Sequence, residues 1–452
     1  MTFSLKQTEW GEKVDRILAA SLGAVEPGSA IRRFVQRNAD QLIIDGQTYD
    51  LASYRRIWVV GAGKAGAPMA CAMADILDER LDGGLVIVKD GYLQPCEGLK
   101  PERGLRLVEA GHPLPDGRGV RATQEIISLL SDCNAEDLVI CLISGGGSAL
   151  LTAPAPGISL HDLQTLTQLL LASGANINEI NALRKHLDQV KGGQLARMAY
   201  PAHLATLIVS DVVGKPLDVI ASGPTVSDGT TFSDAYAVLE RYNLVGQVPQ
   251  AILAYLQSGC VGEILETPKE GDSIFTAVQN VIVGSNMQAV AAALRQAQQE
   301  GFNTQLLTTY MQGEARQVGR LLAAIVRQVA TTGQPISRPA CVVVGGETTV
   351  TLQGDGLGGR NQELALGAVE DLGGLMDVAL VTLATDGGDG PTDAAGAVVT
   401  GETLQRARQL GLRPAEYLQR NDAYHFFEAL GDLIITGPTG TNVNDLAFLF
   451  AF

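Results

Sequence analysis

The stretch from Arg56 to Ala70 limits what this chain can fold into more than any other. Ile57, Trp58, Val59 and Val60 make a short apolar run, Gly61, Gly63 and Gly66 break it, and an Ala/Met-rich segment follows. This order predicts a buried strand, a tight glycine turn and a helix. A helix that starts directly behind such a turn leaves its first backbone N–H groups without intrahelical partners, and its dipole adds to their attraction for an anion. Gly61, Gly63 and Gly66 also satisfy the G-x-G-x-x-G dinucleotide pattern, and Asp90 follows a second strand about where a ribose-binding acid would lie. Lys64 argues against a dinucleotide, whose pyrophosphate needs bare backbone. An ammonium inside the loop suits a more highly charged phosphoryl group.

At 452 residues the chain exceeds one ordinary core. A 46% apolar and 18% charged composition with 52 glycines describes α/β domains rich in close backbone turns. A net charge of −16, with no basic run, disfavours nucleic acid and anionic membrane as partners. No stretch approaches 18 apolar residues, and the N-terminus has no apolar signal-like core, so a cytoplasmic location is expected. Cys71, Cys96, Cys133, Cys141, Cys260 and Cys341 are scattered without C-x-x-C spacing, which predicts reduced thiols.

Helices are expected at 7–24 and 28–38, before the first core strand. Strands at 57–60, 85–89, 105–109, 138–143 and 205–209 then alternate with helices to about residue 81 and at 119–130, 160–172 and 181–198, as in a largely parallel sheet. A boundary is expected near 225–275, giving a Rossmann-like domain over 1–245 and a smaller α/β domain over 275–452, whose last segment is left free to pack back on the first. In the second domain, strands are expected at 281–284, 303–308, 340–344, 378–382 and 433–436, with helices at 287–300, 314–331 and 362–372. The loops at 61–66, 89–91, 111–116, 144–148 and 210–214 all follow strands, and in a parallel sheet such loops gather at the carboxyl edge, where ligands bind.

Four further constellations carry chemistry. Ser144, Gly145, Gly146, Gly147 and Ser148 follow an apolar strand and can form a nest of N–H groups around an anion. Glu347 follows a glycine pair, and Gly358, Gly359, Arg360, Asn361, Gln362 and Glu363 bring a guanidinium, an amide pair and an acid to the first turn of a helix. Asp386, Asp389 and Asp393 fall within eight residues, and clustered hard oxygens suit Mg²⁺ held together with substrate phosphates. Arg184, Asp188 and Lys191 fall on one helical stripe, which could line a phosphate site or be a solvated face with its own charge network. His112, between Gly111 and Pro113, is a candidate substrate contact, and the segment from Gly437 to Asp445, with Asn444, is another Gly/Asn/Thr loop.

Taken together, these motifs make the chain resemble the class II glycerate kinases (glycerate 2-kinases). The motifs are Gly61-Ala62-Gly63-Lys64-Ala65-Gly66, Gly111 to Asp116, Ser144 to Leu151, Ser210-Asp211-Val212-Val213-Gly214 and Ser222-Gly223-Pro224-Thr225. Gly346-Glu347-Thr348-Thr349, Gly359-Arg360-Asn361-Gln362, Thr385 to Gly396 and Thr436 to Leu446 complete the set, in order from about residue 55 to the C-terminus. The resemblance implies a Rossmann-like domain facing a smaller MOFRL-type domain across an active-site cleft. It implies transfer of phosphate from ATP, with Mg²⁺, to the 2-hydroxyl of D-glycerate. It places the catalytic lysine and arginine on Lys64 and Arg360, to which Asp386 is added as a carboxylate for the hydroxyl. Relatives of this kind have also been labelled hydroxypyruvate reductases, so an NAD(P)H-dependent reductase is the rival reading, and a sugar-phosphate-binding regulator is a third. Homo-oligomerisation is left open by these residues.

Overall fold

The computed structural model describes residues 1–93, 104–214 and 217–452. The chain forms two compact units, one of residues 27–283 and one of residues 1–26 with 284–452.

Residues 27–283 open with the helix Pro27–Phe34 and a small antiparallel sheet of β1 (Val35–Asn38), β2 (Gln41–Ile44) and β3 (Gln47–Asp50). This meander replaces the second half of the helix expected at 28–38. Leu42, Ile44 and Tyr49 are buried on it while the residues around them face out, the alternation of a half-covered sheet. The main sheet contains β4 (Arg56–Ala62), β5 (Gly83–Lys89), β6 (Leu105–Ala110), β7 (Asp137–Ile143), β8 (His203–Val209) and β9 (Val278–Gly284), in the order β6-β5-β4-β7-β8-β9. Pairs β4–β5, β4–β7, β5–β6 and β7–β8 are parallel. Every residue of β7 is buried, as expected for a central strand covered on both faces. Helices Gly66–Leu77, Gly117–Ser131 and Leu160–Ser173 follow their strands as expected. The single helix expected over 181–198 is two, Ile177–His186 and Gln194–Ala199, because Gly192 and Gly193 take φ of +56° and +82°.

The other unit carries β10 (Asn303–Met311), β11 (Ala340–Gly346), β12 (Val378–Ala384), β13 (Gly396–Thr400), β14 (Leu433–Ile434) and β15 (Asp445–Ala451), in the order β10-β11-β15-β12-β13-β14. Only β10–β11 is parallel among the pairings around β11, β15, β12, β13 and β14. The last strand is therefore central in the sheet of its own unit. Phe448 and Phe450 are fully buried there. Residues 1–26 belong with this unit, whereas the sequence placed them in the first domain. Val14, Ile17 and Leu18 of helix Gly11–Gly23 are buried, Arg16 pairs with Glu300 (Nε to Oε1, 2.7 Å), and Trp10 stacks on Phe452 with centroids 4.9 Å apart.

Cys133, Cys141, Cys260 and Cys341 are free thiols, but Cys71 is disulfide-bonded, which departs from the expectation of reduced cysteines throughout; Cys96 lies outside the described residues. Among the described residues, no helix is long and apolar enough to cross a membrane.

Candidate functional site

The loop after β4 and the loop after β7 lie against each other, and hydrogen bonds between them decide which can hold an anion. Ser144 donates its N–H to Ala62 O (3.1 Å), Lys64 N–H goes to Gly145 O (2.9 Å) and Ala65 N–H goes to Ser144 Oγ (3.0 Å). Gly63 N–H is taken by Ile87 O at 3.0 Å, and Gly66 N–H by Gly63 O at 3.0 Å. The N–H groups from 63 to 66 are thus satisfied within the protein, contrary to the expectation that this loop would offer them to a ligand. Its glycines serve packing instead. A Cβ on Gly61 would lie 2.0 Å from Leu142 O, one on Gly63 2.0 Å from Ser144 Oγ, and one on Gly66 2.9 Å from Val86 Cγ1.

The open donors are in the second loop. Among the described residues, the N–H groups of Gly145, Gly146 and Ser148 have no acceptor, and Gly146 is left-handed (φ +84°). An alternation of this kind turns successive N–H groups inward into an anion-binding nest. A Cβ on Gly146 would sit 3.0 Å from the His112 ring and 3.4 Å from Lys64 Cγ, so both side chains border the nest. The half-buried Lys64 ammonium has neither ion-pair nor hydrogen-bond partner among the described residues. Burial, with help from the Lys64 and Lys89 charges, lowers the His112 pKa to about 4, so the ring is neutral near pH 7. The Asp211 carboxylate lies against Gly145, where a Cβ would meet its Oδ2 at 2.2 Å. Ser148 Oγ lies 2.8 Å from Ser222 Oγ, and Ser222 Oγ donates to Asn181 Oδ1 at 3.1 Å. Ser222 opens one of the motifs named above and Asn181 lies just before Arg184, but sequence reasoning gave neither side chain a role of its own; their significance comes from this chain of hydroxyls and amide.

Asp90 is held by Arg118, Nη1 to Oδ1 and Nη2 to Oδ2, each at 2.7 Å. The acid that a dinucleotide-binding site needs for ribose hydroxyls is engaged elsewhere.

The second cluster centres on Arg360, the first residue of helix Arg360–Leu372. Its Nε donates to Asp445 Oδ2 at 2.5 Å, Nη2 to Asp445 Oδ1 at 3.3 Å, and Nη1 to Glu347 Oε1 at 2.6 Å. Three of five guanidinium N–H groups are used, leaving one on each terminal nitrogen. Burial alone would lower the Arg360 pKa, but Asp445 and Glu347 outweigh it and raise it. Asp445, the first residue of β15, lies in a segment named above but was given no role of its own by sequence reasoning; an acid at the head of a wholly apolar run was the available signal.

The three aspartates of the 386–393 loop diverge. Asp389 is buried and accepts N–H bonds from Asn361 (3.1 Å, Oδ1) and Gln362 (2.8 Å, Oδ2), as a cap on the helix that begins with Arg360. Burial raises its pKa to about 7 despite these bonds. Asp393 is exposed and accepts from Tyr424 Oη at 2.8 Å, and Asp386 is half-exposed with one 3.3 Å bond from Gly388 N–H. Among the described residues, no group of three or more His, Cys, Asp or Glu side chains could hold a metal ion. The triad expected to grip Mg²⁺ is therefore not assembled. Asn361 also bonds Asp389 through its side chain (3.3 Å), and Asn444 (φ +67°) accepts the Thr385 hydroxyl on its carbonyl at 2.6 Å, so its role is to shape the turn into β15. Lys191 and Asp188, placed by sequence on a charged stripe, form a buried pair (2.8 Å).

Residues 13–257 match a domain family described only as a domain of unknown function, DUF4147, and residues 340–445 match the MOFRL family. The chain is 41% identical to a glycerate 2-kinase of Pyrococcus horikoshii and 41% identical to a D-glycerate 2-kinase of Thermotoga maritima, with 95% of each chain covered in both cases. A putative hydroxypyruvate reductase of Agrobacterium vitis is also 41% identical, over 86% of each chain. A crystal structure of a glycerate kinase from Thermotoga maritima superposes with a TM-score of 0.87 at 38% identity, covering 98% of this chain and 99% of the other. With its motifs, both domain matches and its nearly full-length relatives in agreement, the chain belongs to the MOFRL-containing glycerate kinase family.

Proposed function

We propose that the protein transfers the γ-phosphoryl group of ATP to the 2-hydroxyl of D-glycerate, giving 2-phosphoglycerate and ADP. The observation that carries this reading is the unpartnered Lys64 ammonium beside the open N–H groups of Gly145, Gly146 and Ser148. Phosphoryl transfer spreads negative charge over equatorial oxygens, and a nest of fixed N–H dipoles with one mobile cation stabilises such charge where it develops. The 2-oxygen bonds to the γ-phosphorus while the bond to the β,γ-bridging oxygen breaks, and ADP departs with that oxygen. Asp386, only weakly engaged by Gly388, is assigned the hydroxyl proton. Arg360, with two N–H groups still available, is assigned to phosphoryl oxygens. His112, neutral, hydrogen-bonds substrate and carries no proton through the reaction. Mg²⁺ would arrive bound to the nucleotide's phosphates and neutralise part of their charge, without a carboxylate cage on the protein. A cytoplasmic location belongs to the same reading, since ATP is abundant there.

The test is a pair of assays on the purified protein. With D-glycerate, ATP and Mg²⁺, formation of ADP and 2-phosphoglycerate in equal amounts is expected; with hydroxypyruvate and NADH or NADPH, no loss of absorbance at 340 nm is expected. Reduction of hydroxypyruvate without phosphorylation of glycerate would replace this reading by the reductase one.

A further inference from the structure

We infer that Arg184 is the group that binds the acceptor's carboxylate, and so the residue by which the enzyme selects an acid; the inference rests on the acceptor being glycerate, as proposed above. Arg184 lies in the last turn of helix Ile177–His186, whose start is fixed by a capping box of Asn176 and Glu179. Three residues before it on the same face, Asn181 accepts from Ser222, which in turn meets Ser148 of the anion nest. The helix that carries Arg184 is therefore registered against the loop where phosphate is handled.

Arg184 lines a recess together with Pro113, Ser148, Thr152, Leu163 and Leu166. Two other charged groups of this recess cancel each other. Lys191 Nζ gives its three donors to Asp188 Oδ2 (2.8 Å), Leu151 O (2.8 Å) and Thr152 Oγ1 (3.2 Å), and Asp188 accepts N–H bonds from Val190 (3.0 Å) and Ala153 (3.2 Å). Arg184 has no ion-pair or hydrogen-bond partner among the described residues; the Asp188 charge acts on it only from a distance and is already taken by Lys191, so the recess keeps one net positive charge on a half-buried guanidinium beside leucine side chains. Such a group calls for an anion, and its planar fork matches the two oxygens of a carboxylate. The phosphoryl group already has Lys64 and the nest. A carboxylate held here, one bond from the carbon bearing the 2-hydroxyl, would present that hydroxyl to the loop containing Ser148.

The experiment measures KM for D-glycerate and for ATP in the wild type, Arg184→Ala and Arg184→Lys, with methyl D-glycerate as a neutral acceptor. Arg184→Ala is expected to raise the KM for D-glycerate about 30- to 100-fold, to leave the KM for ATP within about threefold, and to erase the preference for the acid over its ester. Arg184→Lys, which keeps the charge and loses the fork, is expected to fall between. Calorimetric titration with D-glycerate alone should show binding to the wild type and none to Arg184→Ala, a readout that does not depend on phosphorylation occurring. An unchanged glycerate affinity in a folded variant, or a rise confined to the KM for ATP, overturns the assignment. Failure of the wild type to phosphorylate glycerate while it still binds glycerate through Arg184 would instead overturn the proposed function.

Discussion

Asp445 holds the Arg360 guanidinium from the first position of a central strand, with Nε to Oδ2 at 2.5 Å and Nη2 to Oδ1 at 3.3 Å. The fork is thus oriented before any ligand arrives, and Glu347 fixes its third side. Asp445 is 2% exposed while Arg360 keeps about a third of its side chain open. Replacing Asp445 by Ala leaves the arginine without its buried partner. A loss of about 2–4 kcal/mol in urea unfolding is expected, discounted from a fully buried pair for that exposure, together with a fall in turnover larger than that of Glu347→Ala.

Gly61 and Gly146 separate a packing glycine from a site glycine. Alanine at Gly61 would bring a Cβ to 2.0 Å of the Leu142 carbonyl, so Gly61→Ala is expected to lose several kcal/mol of stability or fail to fold. Alanine at Gly146 meets only the flexible Lys64 and the His112 ring, and the left-handed backbone adds about 1–2 kcal/mol. Gly146→Ala should fold, with its melting temperature lowered by a few degrees, and lose at least tenfold in kcat/KM for ATP.

His112 should not appear in the pH–rate profile near neutrality. Burial first, then Lys64 and Lys89, bring its pKa to about 4, below the ordinary 6.5. Between these values the unfolded chain binds more protons than the folded one, so the histidine's contribution to stability is present above about pH 6.5 and is lost as pH falls toward 4. His112→Gln should lower activity without moving any limb of the profile between pH 6 and 8, and should reduce the acid sensitivity of unfolding over pH 4–6.5.

Asp389 gives the opposite slope. Burial raises its carboxyl from 3.8 to about 7, so the folded protein binds more protons across that window and stability declines as pH rises through it. The contribution is about 4 kcal/mol in all. Asp389→Asn should flatten this part of the stability–pH curve, measured by denaturant unfolding at fixed pH values. It should also cost about 1–3 kcal/mol, because one buried N–H of Asn361 or Gln362 loses its acceptor.

Most sheet strands were legible in the sequence as apolar runs, as at Leu138 to Ile143, but the short β13 (Gly396–Thr400) was passed over. β15 was not legible either, although Leu446 to Ala451 is just such a run, because the glycine- and asparagine-rich turn before it drew the reading toward a loop. The β1–β3 meander was missed at Gln36, Arg37 and Asn38, whose mixed polarity fits a helix as well as an edge strand. In the site, the glycine loops were visible, but not which of them faces a ligand. That depends on where each N–H goes, and Ser144 Oγ, Gly145 O and Ile87 O satisfy the first loop from distant positions. The aspartates of the 386–393 loop show the converse limit: neighbours in sequence, they turn to a helix end, a tyrosine and a tight turn.

The most direct test of the central claim is the rate of 2-phosphoglycerate formation from D-glycerate and ATP by the wild type and by Lys64→Ala, with folding checked by circular dichroism. A loss of about two to three decades in kcat/KM is expected, corresponding to roughly 2–4 kcal/mol of transition-state stabilisation. A folded Lys64→Ala protein that turns over at nearly the wild-type rate would contradict the claim that this ammonium and the glycine nest beside it handle the phosphoryl group.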